Sequence, residues 1–294
     1  MAVDFLIIQI LNSLQYASAL FLLSAGLSLI YGVMRIVNMA HGSMYALGAY
    51  VSAWAVGMAS GRVPALALFF VLPLGAIAVA AAGMVMEPIL LRPLYKRTEE
   101  YVLLATFGTL LMLEDTIKFI WGGNPYSATT LWQALGSANI LGQRYPVYNI
   151  LVFLIGMLAA FLLWLFIYRT SFGVLLRATS QNMRMASALG LNVKRVYVQA
   201  FGLGCFMAGL GGAIIVPSQA AVLGMGVDAL VLSFVVVVIG GLGSLEGAFV
   251  GSLIVGFVRT AGIQYFPEIE LAVLYLIAAI VLLIRPTGLF GKAQ

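Results

Sequence analysis

A succession of long apolar runs, each closed by charges, by proline or by a glycine cluster, limits this chain to one kind of fold. The runs are Leu6–Tyr31, Ser43–Met58, Pro64–Met86, Tyr101–Trp121, Val147–Tyr168, Gln199–Pro217 and Leu271–Ile284. A helix needs about 20 apolar residues to cross the hydrocarbon core of a bilayer. Within Ala229–Arg259 two shorter pieces, Ala229–Ile239 and Ala248–Val258, flank Gly240-Gly241-Leu242-Gly243-Ser244-Leu245-Glu246-Gly247. Neither piece makes a full span, which predicts broken or tilted helices meeting at a glycine elbow. A soluble domain carries about 25% charged residues. Here 9% are charged, 63% are hydrophobic and the mean hydropathy is +1.09. The expected fold is all-α, a single polytopic transmembrane domain over residues 1–294 with eight or nine spans. The first run is too long, and too free of a basic leader, to be a cleaved signal peptide.

Lys and Arg sit in the breaks between runs, where they set membrane orientation. Arg92, Lys96 and Arg97 share one break, and Arg169, Arg177, Arg184, Lys194 and Arg195 share another. With Arg35, Arg285 and Lys292 they make eleven on one side, against Arg62, Lys118, Arg144 and Arg259 on the other. This bias puts the 170–195 loop and the C-terminus in the cytoplasm. The N-terminus, with its acidic Asp4, and the 122–146 segment then lie outside. Loops as long as 122–146 are usually either functional or disordered; its Tyr126, Trp132 and Tyr145 suit either a membrane-interface belt or a docking surface for another protein.

Several chemistries lack their residues. No GxxxxGK[ST] occurs, so the chain cradles no nucleotide phosphate and any ATP is used elsewhere. His41 is the single histidine and Cys205 the single cysteine, which leaves no zinc site, no Cys/His catalysis and no disulfide. The elbow is half of a dinucleotide fingerprint, with Glu246 at the third glycine and no βαβ context. The basic residues do not cluster with aromatics as nucleic-acid binding requires. No catalytic residue, metal ligand or bound cofactor is expected.

The 170–195 loop is more specific. Ser180 is placed to cap a helix and Gly190 to stop it, giving two to three turns on which Met183, Ala186 and Gly190 share a narrow small-residue face suited to a partner's groove. Composition alone equally admits a solvated loop. Gly173, Arg177-Ala178, Asn182, Ala186 and Gly190-Leu191-Asn192, however, resemble the cytoplasmic coupling loop of the branched-chain amino acid ABC transporter permeases of the LivH type. Tyr31-Gly32-Val33-Met34-Arg35-Ile36-Val37-Asn38-Met39-Ala40-His41-Gly42-Ser43, running on to Gly48-Ala49-Tyr50, is similar to that family's N-terminal signature. Gly240-Gly241-Leu242-Gly243-Ser244 with Gly247-Ala248 and Gly251 is a third match.

The resemblance implies an importer of the bacterial inner membrane for branched-chain or other amino acids, amides or urea. It implies a second, related permease, two cytoplasmic P-loop ATPases that hold the ATP and Mg, and an extracytoplasmic solute-binding protein. Motion would reach the spans through Gly173, Arg177, Asn182, Ala186 and Gly190. The competing class is an ion-coupled secondary transporter, which would share the glycine elbow and the buried acids but need no loop helix.

Ionisable residues within spans are functional suspects. Glu114 lies about 20 Å along its helix at 1.5 Å per residue, with Asp115 beside it and Lys118 at i+4, the favourable order for an ion pair. Either Glu114 and Lys118 pair structurally or Glu114 and Asp115 face the solute path. Asn38 and His41 are placed near the inner ends of two spans as path or packing residues. Gly240, Gly241 and Gly243 are expected to line a cavity, and Gly247 and Gly251 to pack helices. Gly42-Ser43 with Gly48-Ala49 parallels Gly243-Ser244 with Gly247-Ala248, a weak internal repeat.

Overall fold

The computed structural model describes residues 2–140 and 142–291; Lys292, counted above among the cytoplasmic cations, lies outside them. Twelve α-helices are formed among the described residues: α1 (Ala2–Met34), α2 (His41–Ala59), α3 (Pro73–Met86), α4 (Glu99–Trp121), α5 (Thr129–Leu135), α6 (Val147–Arg169), α7 (Ser171–Gln181), α8 (Met183–Ala188), α9 (Val193–Ile215), α10 (Met225–Gly240), α11 (Leu245–Tyr265) and α12 (Glu270–Ile284). Five segments are long and apolar enough to cross a membrane: Asp4–Met34, Ala65–Leu94, Val147–Arg169, Val193–Ile215 and Leu245–Tyr265.

Two helices form the centre. The spanning window of α1 is 89% buried and that of α9 is 72% buried, whereas α6 buries 17% and stands at the periphery. An apolar helix that is hydrophobic all round belongs in a core or in lipid, and burial separates the two here. Close approach in the centre depends on small residues. Gly204, Ala208 and Gly212 recur every four residues on α9, a small-xxx-small ridge. A Cβ on Gly26 of α1 would lie 2.5 Å from the Gly204 carbonyl oxygen, and one on Gly48 of α2 would lie 2.5 Å from Gly209.

The run predicted as Pro64–Met86 is divided. A 3-10 turn, Ala65–Phe70, precedes α3, because Pro73 starts a new helix where its missing N–H costs nothing. After α3 a π turn, Glu87–Leu91, contains Pro88. The elbow is also asymmetric. α10 is short, at 16 residues, but α11 runs for 21, well past the predicted Val258. The long hydrophilic segment carries α5 and an antiparallel hairpin, β1 (Ser137–Ile140) with β2 (Gln143–Pro146).

The hairpin marks one end of the bundle: Tyr145 Oη donates to Asn12 Oδ1 (3.1 Å) in the first third of α1. The opposite end, called basic below, gathers Met34 of α1, the 87–98 segment, α7, α8, the elbow and the chain after α12. The ten described cations of the majority group all fall there.

Candidate functional site

At the basic end, Thr170 turns the chain from α6 into α7 by accepting from the Gly173 N–H (3.1 Å). Gly173 lies so close to the Ile167 carbonyl that no Cβ fits. Arg177 then donates to the Ile167 carbonyl (3.0 Å) with its guanidinium carbon 5.1 Å from the Tyr168 ring centre. These two residues hold α7 onto the end of α6. The residue that caps the next helix is Asn182, which accepts from the Met185 N–H (2.9 Å), and not Ser180, which donates to Arg177 O inside the last turn of α7. The helix predicted between Ser180 and Gly190 is therefore the shorter α8, which starts after Asn182 and follows a separate helix, α7, that the sequence reading did not place. Gly190 follows α8 at φ +82°, in the left-handed region where a glycine ends a helix without strain.

The predicted small-residue face is divided: Met183 and Gly190 are exposed, but Ala186 between them is not. Ala186 is 2% exposed and packed inside the molecule, while Met185 and Leu189 are 58% and 75% exposed. Behind α8, Tyr197 Oη donates to the Met183 sulfur (3.0 Å) and stacks edge-on with Tyr95. Tyr95 donates to the fully buried Glu87 carboxylate (2.6 Å), which also pairs with Arg92 at 2.8 Å. Burial, and then donation to Glu87, push the Tyr95 phenol far above its ordinary range, so it stays a proton donor.

The elbow departs from its expected role. Gly240 lies directly against Gly247, Gly251 against the Val236 carbonyl, and Gly241 against Gly288 and Gly291. Carbonyls freed where α10 ends are taken up by the following chain, since Leu289 N–H donates to Ile239 O and Phe290 N–H to Gly240 O, both at 2.9 Å. Gly240 and Gly241 thus serve helix packing, like Gly247 and Gly251. Gly243, at φ +78°, touches Gly32 and does border a cavity. That cavity, about 740 Å³, opens among the Ser28–Val33 stretch of α1, Arg35 just after it, Tyr168, Arg177 and Glu246.

The segment after α1 re-enters the bundle. Met39 N–H donates to Thr106 Oγ1 of α4 (3.2 Å), and Asn38, fully buried, accepts from Ala40 N–H (3.1 Å). α2 accordingly starts deep, with His41 Nε2 bonded to the Leu23 carbonyl (3.0 Å), about 16 Å from the Met34 end of α1. The prediction that Asn38 and His41 lie near inner span ends is corrected: both are buried in the packing between α1, α2 and α4.

Glu114 stands beside them. Its carboxylate accepts from Gly224 N–H ahead of α10 (3.2 Å) and from Ser43 Oγ in the first turn of α2 (3.5 Å). Two helix starts meet one anion, the favourable sense for the helix dipole. The ion pair with Lys118 is not formed; Lys118 and Asp115 are both exposed. A partner across the bundle outweighs the one a turn away. The repeat-like Gly42 and Gly243 also have unlike surroundings, Gly42 against Gly226 and Gly243 against Gly32.

A second cavity, about 520 Å³, lies toward the hairpin end. It is bordered by Asn12, Gln15 and Tyr16 of α1, Asp228 of α10, and Arg259 of α11, with Leu20, Leu23 and Leu232 below. Between the two cavities α1 is sealed by Gly26 against Gly204 and by His41 on Leu23.

Residues 9–284 match the family described as branched-chain amino acid transport system / permease component. The chain belongs to that family. It is 28% identical to the high-affinity branched-chain amino acid transport system permease protein BraD of Pseudomonas aeruginosa, over 97% of this chain and 96% of that one. It is 27% identical to LivH of Escherichia coli strain K12, with the same coverage. The ribose import permease protein RbsC of the same strain is 26% identical over 94% of this chain and 86% of its own.

As a member of this ABC transporter permease family, the chain has no ATP-binding motif of its own, and its distinctive parts are conformational. Sequence reasoning missed three of them. The α9 glycine ridge was legible in its four-residue spacing. Arg259 and Asp228 signalled themselves as charges inside or at the edge of apolar runs. The return of residues 286–291 onto the elbow left no sequence signal beyond Pro286 and Gly288.

Proposed function

We propose that this permease is the membrane subunit of an ATP-driven importer that carries branched-chain or related amino acids inward across the cytoplasmic membrane of a bacterium. Two cavities that share α1 and are separated by a packed seal carry this reading. A solute held at one end reaches the other only if the seal opens as the opposite mouth closes, which is alternating access. The cation bias supports a cytoplasmic basic end, with α1, α2, α3, α4, α6, α9, α10, α11 and α12 as nine crossings. On this orientation α7 and α8 face the cytoplasm, where two P-loop ATPases would engage the exposed Met185 and Leu189, and a second permease would complete the membrane unit. An extracytoplasmic binding protein would deliver solute to the hairpin end.

The test is reconstitution of the chain with a second permease, ATPases and a binding protein from its own genome. Uptake of leucine into vesicles should require ATP on the ATPase side and the binding protein on the other. Uptake driven by a proton or sodium gradient without ATPases would instead establish a secondary transporter.

A further inference from the structure

α4 and α6 are both 23 residues long, and their exposed faces differ in kind. α6 exposes Leu154, Met157, Leu158, Phe161 and Leu162, and between 150 and 167 it carries no charged, hydroxyl or amide side chain, a surface that lipid can cover. α4 is not among the five segments apolar enough to cross a membrane. Its inner stripe, Val102, Thr106, Leu110 and Ile117, is buried in the bundle. Its outer stripe is Leu104, Gly108, Met112, Asp115 and Phe119, at helical spacing. Met112 is 71% and Phe119 91% exposed, and a Cβ on Gly108 would meet nothing within 4 Å. Asp115 is exposed on this stripe; among the described residues its carboxylate makes no hydrogen bond or ion pair, and it borders neither cavity. It lies six residues before the Trp121 end of α4, about 9 Å inside it at 1.5 Å per residue. A carboxylate at such a depth faces a water-filled cavity or pairs with another group rather than meeting lipid. Lys118 has a stem long enough to carry its ammonium outward, which aspartate lacks. The neighbouring Thr116 satisfies its hydroxyl within the helix, donating to Met112 O at 2.6 Å.

From this contrast we infer that the 104–119 face of α4 is the surface that receives the second permease, and that a span of that subunit presents a basic side chain to Asp115. The inference rests on the importer reading, which calls for a second permease, and adds where it docks. Charge complementarity selects the occupant. A second copy of this chain, related by a two-fold axis along the membrane normal, sets the same residues at the same depth, carboxylate level with carboxylate. A related but different chain can set a cation there. Gly108, on the same stripe, leaves a notch in which a side chain of the other subunit fits while the two helices approach closely.

The test uses the complete complex, formed in membranes with the second permease, the ATPases and the binding protein from the same genome. The photoreactive residue p-benzoylphenylalanine replaces Met112 on the α4 stripe or Leu158 on α6. Irradiation should join position 112 to the second permease, identified by the masses of its peptides, and position 158 to no protein. In a separate variant, Asp115→Leu leaves the other subunit's cation unpaired. It should lower recovery of the second permease with this chain at least about tenfold, the scale of one charge-assisted contact, while Asp115→Glu keeps recovery and both variants keep the folded yield of this chain. If position 112 is joined instead to a second copy of this chain, to the binding protein or to lipid alone, the docking surface is overturned, and leucine uptake with ATP by the same complex leaves the importer reading standing. If recovery and yield hold or rise with Asp115→Leu, the face meets lipid and the pairing is overturned. If the wild-type chain recovers no second permease, or the complex takes up leucine only with an ion gradient, the importer reading itself fails.

Discussion

A single carboxylate shows how local rules and tertiary contacts compete. Glu114 and Lys118 have the spacing and order of a helical ion pair, worth about 0.2–0.5 kcal/mol on an exposed helix. The structure turns Glu114 instead to Ser43 Oγ and Gly224 N–H, at the starts of α2 and α10. Hydrogen bonds to a charged group contribute about 1.5–3 kcal/mol each in favourable geometry, so the long-range partners win. Glu114→Ala should therefore lower the thermal midpoint of the detergent-extracted protein by an amount corresponding to about 1–3 kcal/mol. Lys118→Met should change it by less than about 0.5 kcal/mol, as for an ordinary surface position. Equal losses from the two variants would show that they act as a pair after all. The sequence located Glu114 within the membrane and away from lipid. It concealed the partner, because Ser43 and Gly224 reach that carboxylate only through the fold.

Among the elements, α7 and α8 test how far a loop motif can be read. The stop at Gly190 and the cap at Asn182 are local backbone events, and residue type signals both. Which side of α8 faces outward depends on Tyr197 and the inner ends of neighbouring helices, none of them adjacent in sequence. That is why Ala186, expected on a docking face, is buried. Two variants separate these roles. Met185→Glu with Leu189→Glu places charge on the exposed apolar face, and it should keep wild-type folded yield while reducing transport-stimulated ATP hydrolysis more than about tenfold, the loss of roughly one good contact. Ala186→Trp overfills a buried site, where overpacking costs about 1–3 kcal/mol, so its loss should appear first in folded yield. The assay is monodisperse yield beside ATP hydrolysis in the reconstituted complex. A double glutamate variant with full coupling would move the ATPase contact off α8. Orientation is checked on the same loop: a cysteine at position 184 should react with an impermeant thiol reagent only from the cytoplasm, and one at position 132 only from outside.

At the scale of the whole molecule, the apolar runs announced a helical membrane domain because their length and lack of charge leave few alternatives. They did not reveal which helices are central. That property lies in glycine contacts between α1, α2 and α9, where a side chain on either helix would hold the backbones apart. The seal between the cavities is the most exacting of these contacts. A methyl group on Gly26 would sit 2.5 Å from the Gly204 carbonyl oxygen and 3.1 Å from the His41 ring, and both neighbours are themselves enclosed. Because Gly204 O is backbone, relief requires α1 and α9 to separate, which also disturbs the His41 bond to Leu23. A methyl group on Gly57, by contrast, would meet nothing within 4 Å. Gly26→Ala should lower the unfolding midpoint by an amount corresponding to about 1–3 kcal/mol and let a thiol reagent added from the hairpin end reach a cysteine introduced at Ser28 in the opposite cavity. Gly57→Ala should do neither. If Gly26→Ala is as stable as wild type and Ser28→Cys stays shielded, the close approach of α1 and α9 is not the barrier, and the division between the cavities must be held by the Leu20, Leu232 and Val235 cluster instead.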